Sequence, residues 1–444
     1  MSTIRLSSSF PQGSAGLPEP EAAALAVSRQ LAERVAAAIE AAGGWLSFER
    51  YMNMVLYEPG LGYYSNPGRV FGTGGDFVTA PEMTPLFGAT LARQLAAWLP
   101  AIEAVAGERE VVLLEVGAGS GVLAAQLLNA LSLRGFERLR YQILELSAER
   151  RQQQRQTLAN RAPGLVERVE WLEAPPSEFC GILIGNEILD AMPVRLFEWR
   201  ANAQALASSS SVGMSAEASR PAEPSSTPGP LGGEVFEVGL RLGYEGFEWA
   251  LQPADAGLQA AVRARMPAGR PWPSGYRSEI CPAQGAWLHT MAEAMQVGVI
   301  LLLDYGFPAA EYYHPQRDRG TLMCHYRHRS HTDPLLWPGL SDITAHVDYS
   351  ALVRAAGAAG LEPIGYLSQA AFLLNAGVLD ELSALPREPE NFWFAQAQAI
   401  QMLLSEAEMG ELFKVIAFSK QLPVDQVDDT GFSASNRFGR LLAD

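Results

Sequence analysis

Cysteine is nearly missing: Cys180, Cys281 and Cys324 are the only three in 444 residues, far apart and without Cys-x-x-Cys spacing. A disulfide framework or a zinc knuckle needs closely spaced thiols, so neither is expected, and a reducing compartment is consistent with the pattern. Basic charge is also scarce, with 33 Lys and Arg against 49 Asp and Glu and a formal net charge of −16. Counterion release from a polyanion demands clustered cations, which argues against a nucleic-acid partner. No window approaches the roughly 20 uncharged apolar residues that span a bilayer, so no membrane insertion is expected. The first 20 residues have no apolar signal core, and their single Arg5 matches an Arg-rich transit peptide poorly. A bacterial cytoplasmic protein is the expectation, with the mitochondrial matrix left open.

What is present is apolar bulk, 48% of residues against 18% charged, enough for a large core in one elaborated domain or two. Residues 111–121, Val-Val-Leu-Leu-Glu-Val-Gly-Ala-Gly-Ser-Gly, read as a buried strand entering a glycine turn, with a Leu-rich helix behind it. Gly117, Gly119 and Gly121 let the backbone turn tightly and approach a ligand, although tight turns use glycine for structural reasons too. Glu145 stands near the end of the next apolar run, about 24 residues beyond Gly121, where a doubly wound sheet places the carboxylate that holds a ribose. The Gly-x-Gly-x-Gly spacing departs from the dinucleotide pattern. The acidic Glu115 just before it would repel a pyrophosphate and attract a sulfonium or an amino group. S-adenosylmethionine therefore fits better than NAD.

The chain order predicts an α/β fold with a parallel sheet and helices on both faces. Strands are expected at 111–116, 141–146, 181–185 and 297–303, with helices at 122–132 and 147–160 between them. A helix at 348–358 and strands at 361–367 and 413–419 complete the sheet, the last strand antiparallel. Residues 1–20 are expected to be disordered, and 21–105 to form an extension that begins with a helix at 20–42. Within it, 51–87 is dense in Tyr, Phe and Gly and reads as loops covering a ligand. The first part of the sheet domain is placed at 106–200, an insertion at 201–295, the second part at 296–420 and a tail at 421–444. The Ser/Pro/Gly-rich stretch 205–233 cannot bury enough apolar area to order itself, and the short strands flanking it at 194–199, 235–240 and 247–251 suggest a small substrate lobe.

The segment Gly185-Asn186-Glu187-Ile188-Leu189-Asp190-Ala191-Met192-Pro193 follows the third core strand. Asn186, Glu187 and Asp190 thus stand where open α/β sheets place reactive groups, and a pair of carboxylates suits a guanidinium, with Glu187 able to take up a proton. The alternative is that Asp190 caps a helix and Glu187 is merely solvated. His325, His328 and His331 recur every third residue, but their Arg-rich surroundings suit contact with an acidic partner surface better than a metal. Asp342, His346 and Asp348 precede a helix that Asp348 can cap.

Together these segments resemble the MidA-like family of class I methyltransferases. The resemblance is carried by Tyr-Met-Asn-Met-Val-Leu-Tyr-Glu-Pro-Gly-Leu-Gly-Tyr-Tyr, Gly-Gly-Asp-Phe-Val-Thr-Ala-Pro-Glu, Leu-Glu-Val-Gly-Ala-Gly-Ser-Gly, Asn-Glu-Ile-Leu-Asp-Ala-Met-Pro-Val, Asp-Tyr-Gly and Gly-Leu-Ser-Asp-Ile-Thr-Ala-His-Val-Asp, over about residues 44–420. It implies a Rossmann-like sheet and S-adenosyl-L-methionine as cofactor, with Gly117, Gly119 and Gly121 against its methionyl part, Glu145 on its ribose and Gly74, Gly75 and Asp76 bordering the pocket. It also implies a protein arginine as methyl acceptor, since the family's mitochondrial members are complex I assembly factors that methylate an arginine of a core subunit. The 205–233 stretch and Asn186 depart from the mitochondrial pattern, so the acceptor is not carried over with the fold. A non-catalytic assembly protein that retains the cofactor pocket is the second reading. An NAD-linked oxidoreductase is disfavoured by the glycine spacing, and both monomer and homodimer remain open.

Overall fold

The computed structural model describes residues 16–65, 79–201, 232–267, 272–423 and 427–442. Its strands along the chain are β1 (Leu46–Ser47), β2 (Val111–Val116), β3 (Arg140–Leu144), β4 (Val169–Leu172), β5 (Phe179–Asn186), β6 (Arg195–Ala201), β7 (Gly233–Leu242), β8 (Phe247–Pro253), β9 (Tyr276–Ile280), β10 (Met295–Phe307), β11 (Met323–Tyr326), β12 (Arg329–His331), β13 (Asp342–Thr344), β14 (Val347–Asp348), β15 (Glu362–Ser368) and β16 (Phe413–Lys420). The central sheet has the order β15-β16-β10-β5-β2-β3-β4, with β14 beside the end of β10. The pairs from β10 to β4 are parallel, while β16 runs antiparallel to both of its neighbours.

The apolar runs of β2, β5 and β10 are continuous because both faces of these strands are covered. Leu113, Ile182, Ile184, Val299 and Leu301 pack with the helices Pro85–Ala106 and Val122–Leu133 on one face. Their alternates Leu114, Leu183, Ile300 and Leu302 pack with the helices Pro282–Ala294 and Tyr349–Ala358 on the other. From β2 the chain proceeds to β3 on one side and later returns to β5 on the other. That reversal opens a crevice above the carboxyl ends of β2 and β5, the place where such sheets bind ligands.

A second, antiparallel sheet, β1-β7-β6-β9 with β8 paired to β7, contains the three short strands expected of the substrate lobe together with two that were not expected. The Ser/Pro/Gly-rich stretch falls outside the described residues up to position 231, while Gly233 already belongs to β7. A third sheet, β12-β11-β13, contains a hairpin whose turn residues Arg327 and His328 both have left-handed backbones.

The expectation of loops throughout 51–87 is corrected. Residues Phe48–Tyr57 are a helix: the Ser47 hydroxyl accepts from the Arg50 N–H, and Phe48, Tyr51, Met52, Val55 and Leu56 form its buried face. The 3.6-residue period was hidden by the Tyr- and Gly-rich segment that follows it. Pro85–Ala106 is also helical, and Gly74, Gly75 and Asp76 lie outside the described residues. The edge strand β4, only four residues long, was not anticipated. No described helix is long and apolar enough to cross a membrane.

Candidate active site

A cavity of about 1290 Å³ opens above the carboxyl ends of β2 and β5. The glycine turn forms one wall. A Cβ placed on Gly117 would come within 2.8 Å of Ile188, which accounts for that glycine by packing, whereas a Cβ on Gly119 would meet nothing within 4 Å. Gly119 also lines the cavity, so its missing side chain leaves open space for a ligand above the start of the helix Val122–Leu133.

Glu145 projects beyond the end of β3. One carboxylate oxygen accepts the Ser147 N–H at 2.9 Å and the other accepts from Gln154 Nε2 at 3.2 Å. The carboxylate is thereby oriented, and its remaining lone pairs suit a vicinal diol. Glu115 departs from expectation. It is buried, accepts from the Tyr141 hydroxyl at 2.6 Å, and burial pushes its carboxyl up to about 7. Near neutral pH its negative charge is incomplete, which weakens the expected attraction for a cation.

The acids after β5 gather at the other end of the cavity. Glu187 has a left-handed backbone, φ 55°, in a region that costs a side-chain-bearing residue about 1–2 kcal/mol. Its N–H is held by Leu303 O of β10 at 2.8 Å, and its carboxylate accepts from Asn186 Nδ2 at 3.0 Å. Burial, with the adjacent Asp190 charge adding to it, pushes the Glu187 carboxyl up to about 8. Asp190 is 6% exposed, and burial raises its carboxyl as well, against the opposing effect of the Tyr305 hydroxyl. Asp190 does not cap a helix, and Glu187 is partly buried in the cavity wall.

The turn carrying these acids is fastened by Asp304. This carboxylate is fully buried and accepts the N–H groups of Leu189 at 2.8 Å, Asp190 at 3.3 Å and Tyr305 at 2.9 Å. Burial and the neighbouring Asp190 hold its carboxyl well above the usual range. Asp342, from β13, also lines the cavity and accepts from the Tyr64 hydroxyl at 2.8 Å. Tyr64 stacks on Tyr57, whose hydroxyl donates to Ala191 O at 2.9 Å. His346 packs flat on Phe307 and edge-on to Tyr305, and burial lowers its pKa to about 4, leaving a neutral imidazole.

Sequence reasoning placed Asn186, Glu187, Asp190, Glu145 and the glycines around one crevice; the structure brings the four polar residues together with Gly117 and Gly119, whereas Gly121 does not line the cavity and a Cβ there would meet Gln154 at 3.2 Å. It assigned no role to Asp304, Tyr57, Tyr64 or Tyr305, although the Asp-Tyr-Gly at the end of β10 was a usable signal. Asp348 does cap the following helix, accepting the Ala351 N–H at 2.9 Å, and it also receives Arg265 at 3.0 Å. The three histidines are dispersed. His325 faces the cavity, His328 sits in the hairpin turn and His331 is buried, bonded to the Ser341 hydroxyl at 3.0 Å.

Comparison with known proteins agrees with this architecture. A family of S-adenosyl-L-methionine-dependent methyltransferases matches residues 90–367. A crystal structure from Burkholderia thailandensis bound to S-adenosyl-homocysteine is 43% identical, covers 95% of this chain and 99% of its own, and superimposes with a TM-score of 0.82. A native structure from the same organism gives 43% identity and a TM-score of 0.78. The mitochondrial protein arginine methyltransferase NDUFAF7 of Mus musculus is 26% identical over 84% of this chain and 81% of its own length, and its Drosophila melanogaster homologue is 27% identical over 90% and 87%. The chain belongs to the MidA-like family of S-adenosyl-L-methionine-dependent methyltransferases.

Proposed function

We propose that this methyltransferase modifies arginine side chains of a protein. The observation that carries the reading is the convergence of Glu187, Asp190 and Asp342 with the rings of Tyr57, Tyr64 and Tyr305 on one end of the cavity. A guanidinium is a planar cation with five N–H donors, suited to carboxylates at its edge and aromatic rings at its face. The name carried by the mitochondrial relatives supports the same acceptor.

Gly117, Gly119 and Glu145 would hold the cofactor, with Asn186 and the acidic end beyond it. Bound S-adenosyl-L-methionine supplies an electrophilic methyl group on a sulfonium centre. The chain's own part is to position the acceptor nitrogen and remove its proton. A raised pKa suits Glu187 to the role of base, because the cation's arrival favours the carboxylate, which then takes the proton released as the N–CH₃ bond forms. Gly119→Val fills the space left at the turn and strains a left-handed residue. It is expected to weaken S-adenosyl-homocysteine binding by at least about tenfold in calorimetric titration.

The acceptor is tested by incubating the purified chain with methyl-labelled cofactor and the protein fraction of cells lacking its gene, then hydrolysing and separating the amino acids. Label is expected in methylarginine. Label in another residue overturns the acceptor assignment. No protein label, with cofactor binding intact, favours the non-catalytic assembly reading.

A further inference from the structure

Six large apolar side chains in one C-terminal stretch, Leu374, Leu379, Phe392, Phe394, Met402 and Leu412, are exposed. They are nearly half of the exposed large apolar residues in the described chain, yet they fall within about 40 consecutive positions, and such clustering on a soluble surface marks an interaction site. The helix Glu390–Leu404 turns Gln396, Ala399, Ile400 and Leu403 inward, leaving Phe394, Gln398 and Met402 in one exposed stripe at helical spacing. From Asn391 to Ser405 there is no charged residue, in a chain of net charge −16.

The segment that follows this helix reaches the cavity. Leu412 is 37% exposed and also lines the cavity. The next residue, Phe413, lies edge-on to Tyr305 with ring centroids 5.4 Å apart, and Tyr305 lines the cavity with Asp190. The inward side of the helix is anchored near the same rim through Gln396, which accepts from the Thr84 hydroxyl at 2.7 Å, two residues from the cavity-lining Glu82.

We propose that the stripe on the helix Glu390–Leu404, continued by Leu412, is the docking surface for the methyl-accepting protein, which it grips through an uncharged apolar patch beside the acceptor arginine. This rests on the protein-arginine reading above. A division of labour follows: the cavity acids recognise the cation, and the uncharged rim recognises what flanks it. A second copy of this chain is the poorer occupant, because it would lie across Leu412 and cover the acceptor end.

The test uses the full chain carrying Phe394→Asp and Met402→Asp together, with Tyr244→Asp, at the fully exposed turn between β7 and β8, as control. The probe is the same protein fraction with labelled cofactor. The double variant is expected to bind S-adenosyl-homocysteine and to sediment like the wild type, while its kcat/KM for protein labelling falls at least about tenfold through KM. The control should label normally. Unchanged labelling by the double variant overturns the docking surface and leaves the arginine reading standing. A wild type that labels no protein overturns both. A wild-type dimer converted to monomer by the double substitution shows that a second copy occupies the face and overturns the proposal.

Discussion

Glu187→Gln is expected to lower methyl transfer by about 10²- to 10⁴-fold while S-adenosyl-homocysteine still binds, because the amide keeps the shape of the side chain and loses the base. The pH profile separates this from a packing effect. In the free wild-type enzyme kcat/KM should climb as pH rises through about 8, the value to which burial and Asp190 push this carboxyl, and the variant should lack that limb. Stability should change in the opposite sense. A carboxyl whose folded pKa is raised from 4.5 to about 8 contributes stability that is complete below the unfolded value and is lost as pH rises through the folded one. Urea unfolding at pH 5 and at pH 9 should therefore show a smaller loss in Glu187→Gln than in the wild type. Activity within about tenfold of wild type and an unaltered pH profile would remove Glu187 as the base.

Asp304→Ala should be the most destabilising single change in the site, at about 3 kcal/mol, because it leaves the N–H groups of Leu189, Asp190 and Tyr305 without their acceptor in a dry environment. Loss of the like-charge contact with Asp190 offsets part of that cost. Asp304→Asn keeps one acceptor oxygen, enough for the Leu189 and Asp190 N–H groups that share Oδ2, but turns its amide N–H groups toward the Tyr305 N–H, so it should fall between Ala and wild type in urea. If Asn proves as damaging as Ala, Asp304 acts through its charge and not by fastening the turn. Methyl transfer should follow the same order, since Glu187 and Asp190 ride on the turn that Asp304 holds.

Much of this site could be read along the chain. The strand at 111–116, the glycines after it and Glu145 lie within about 35 residues, where the period of apolar side chains and the backbone freedom of glycine act locally. Asn186, Glu187 and Asp190 were placed by the rule that parallel strands present ligands at their carboxyl ends. Two kinds of feature escaped. The helix Phe48–Tyr57 was masked by its Tyr- and Gly-rich continuation, and β4 is an edge strand too short to show a period. Asp304, Tyr64 and Tyr305 stand in recognisable segments, but the groups they bond lie too far along the chain to be read locally.

By itself, the sequence determined the parallel α/β sheet, the cofactor class and the acidic segment after the third core strand, because each depends on interactions between near neighbours. Only the tertiary structure decided how those acids are held and what state they are in. Asp304 meets Leu189 across 115 positions, and Tyr64 meets Asp342 across 278. Contacts at such separations depend on which strands the crossovers bring side by side. The burial that raises the Glu187 carboxyl to about 8 arises from that same packing, since desolvation reflects everything around a group and not its place in the chain.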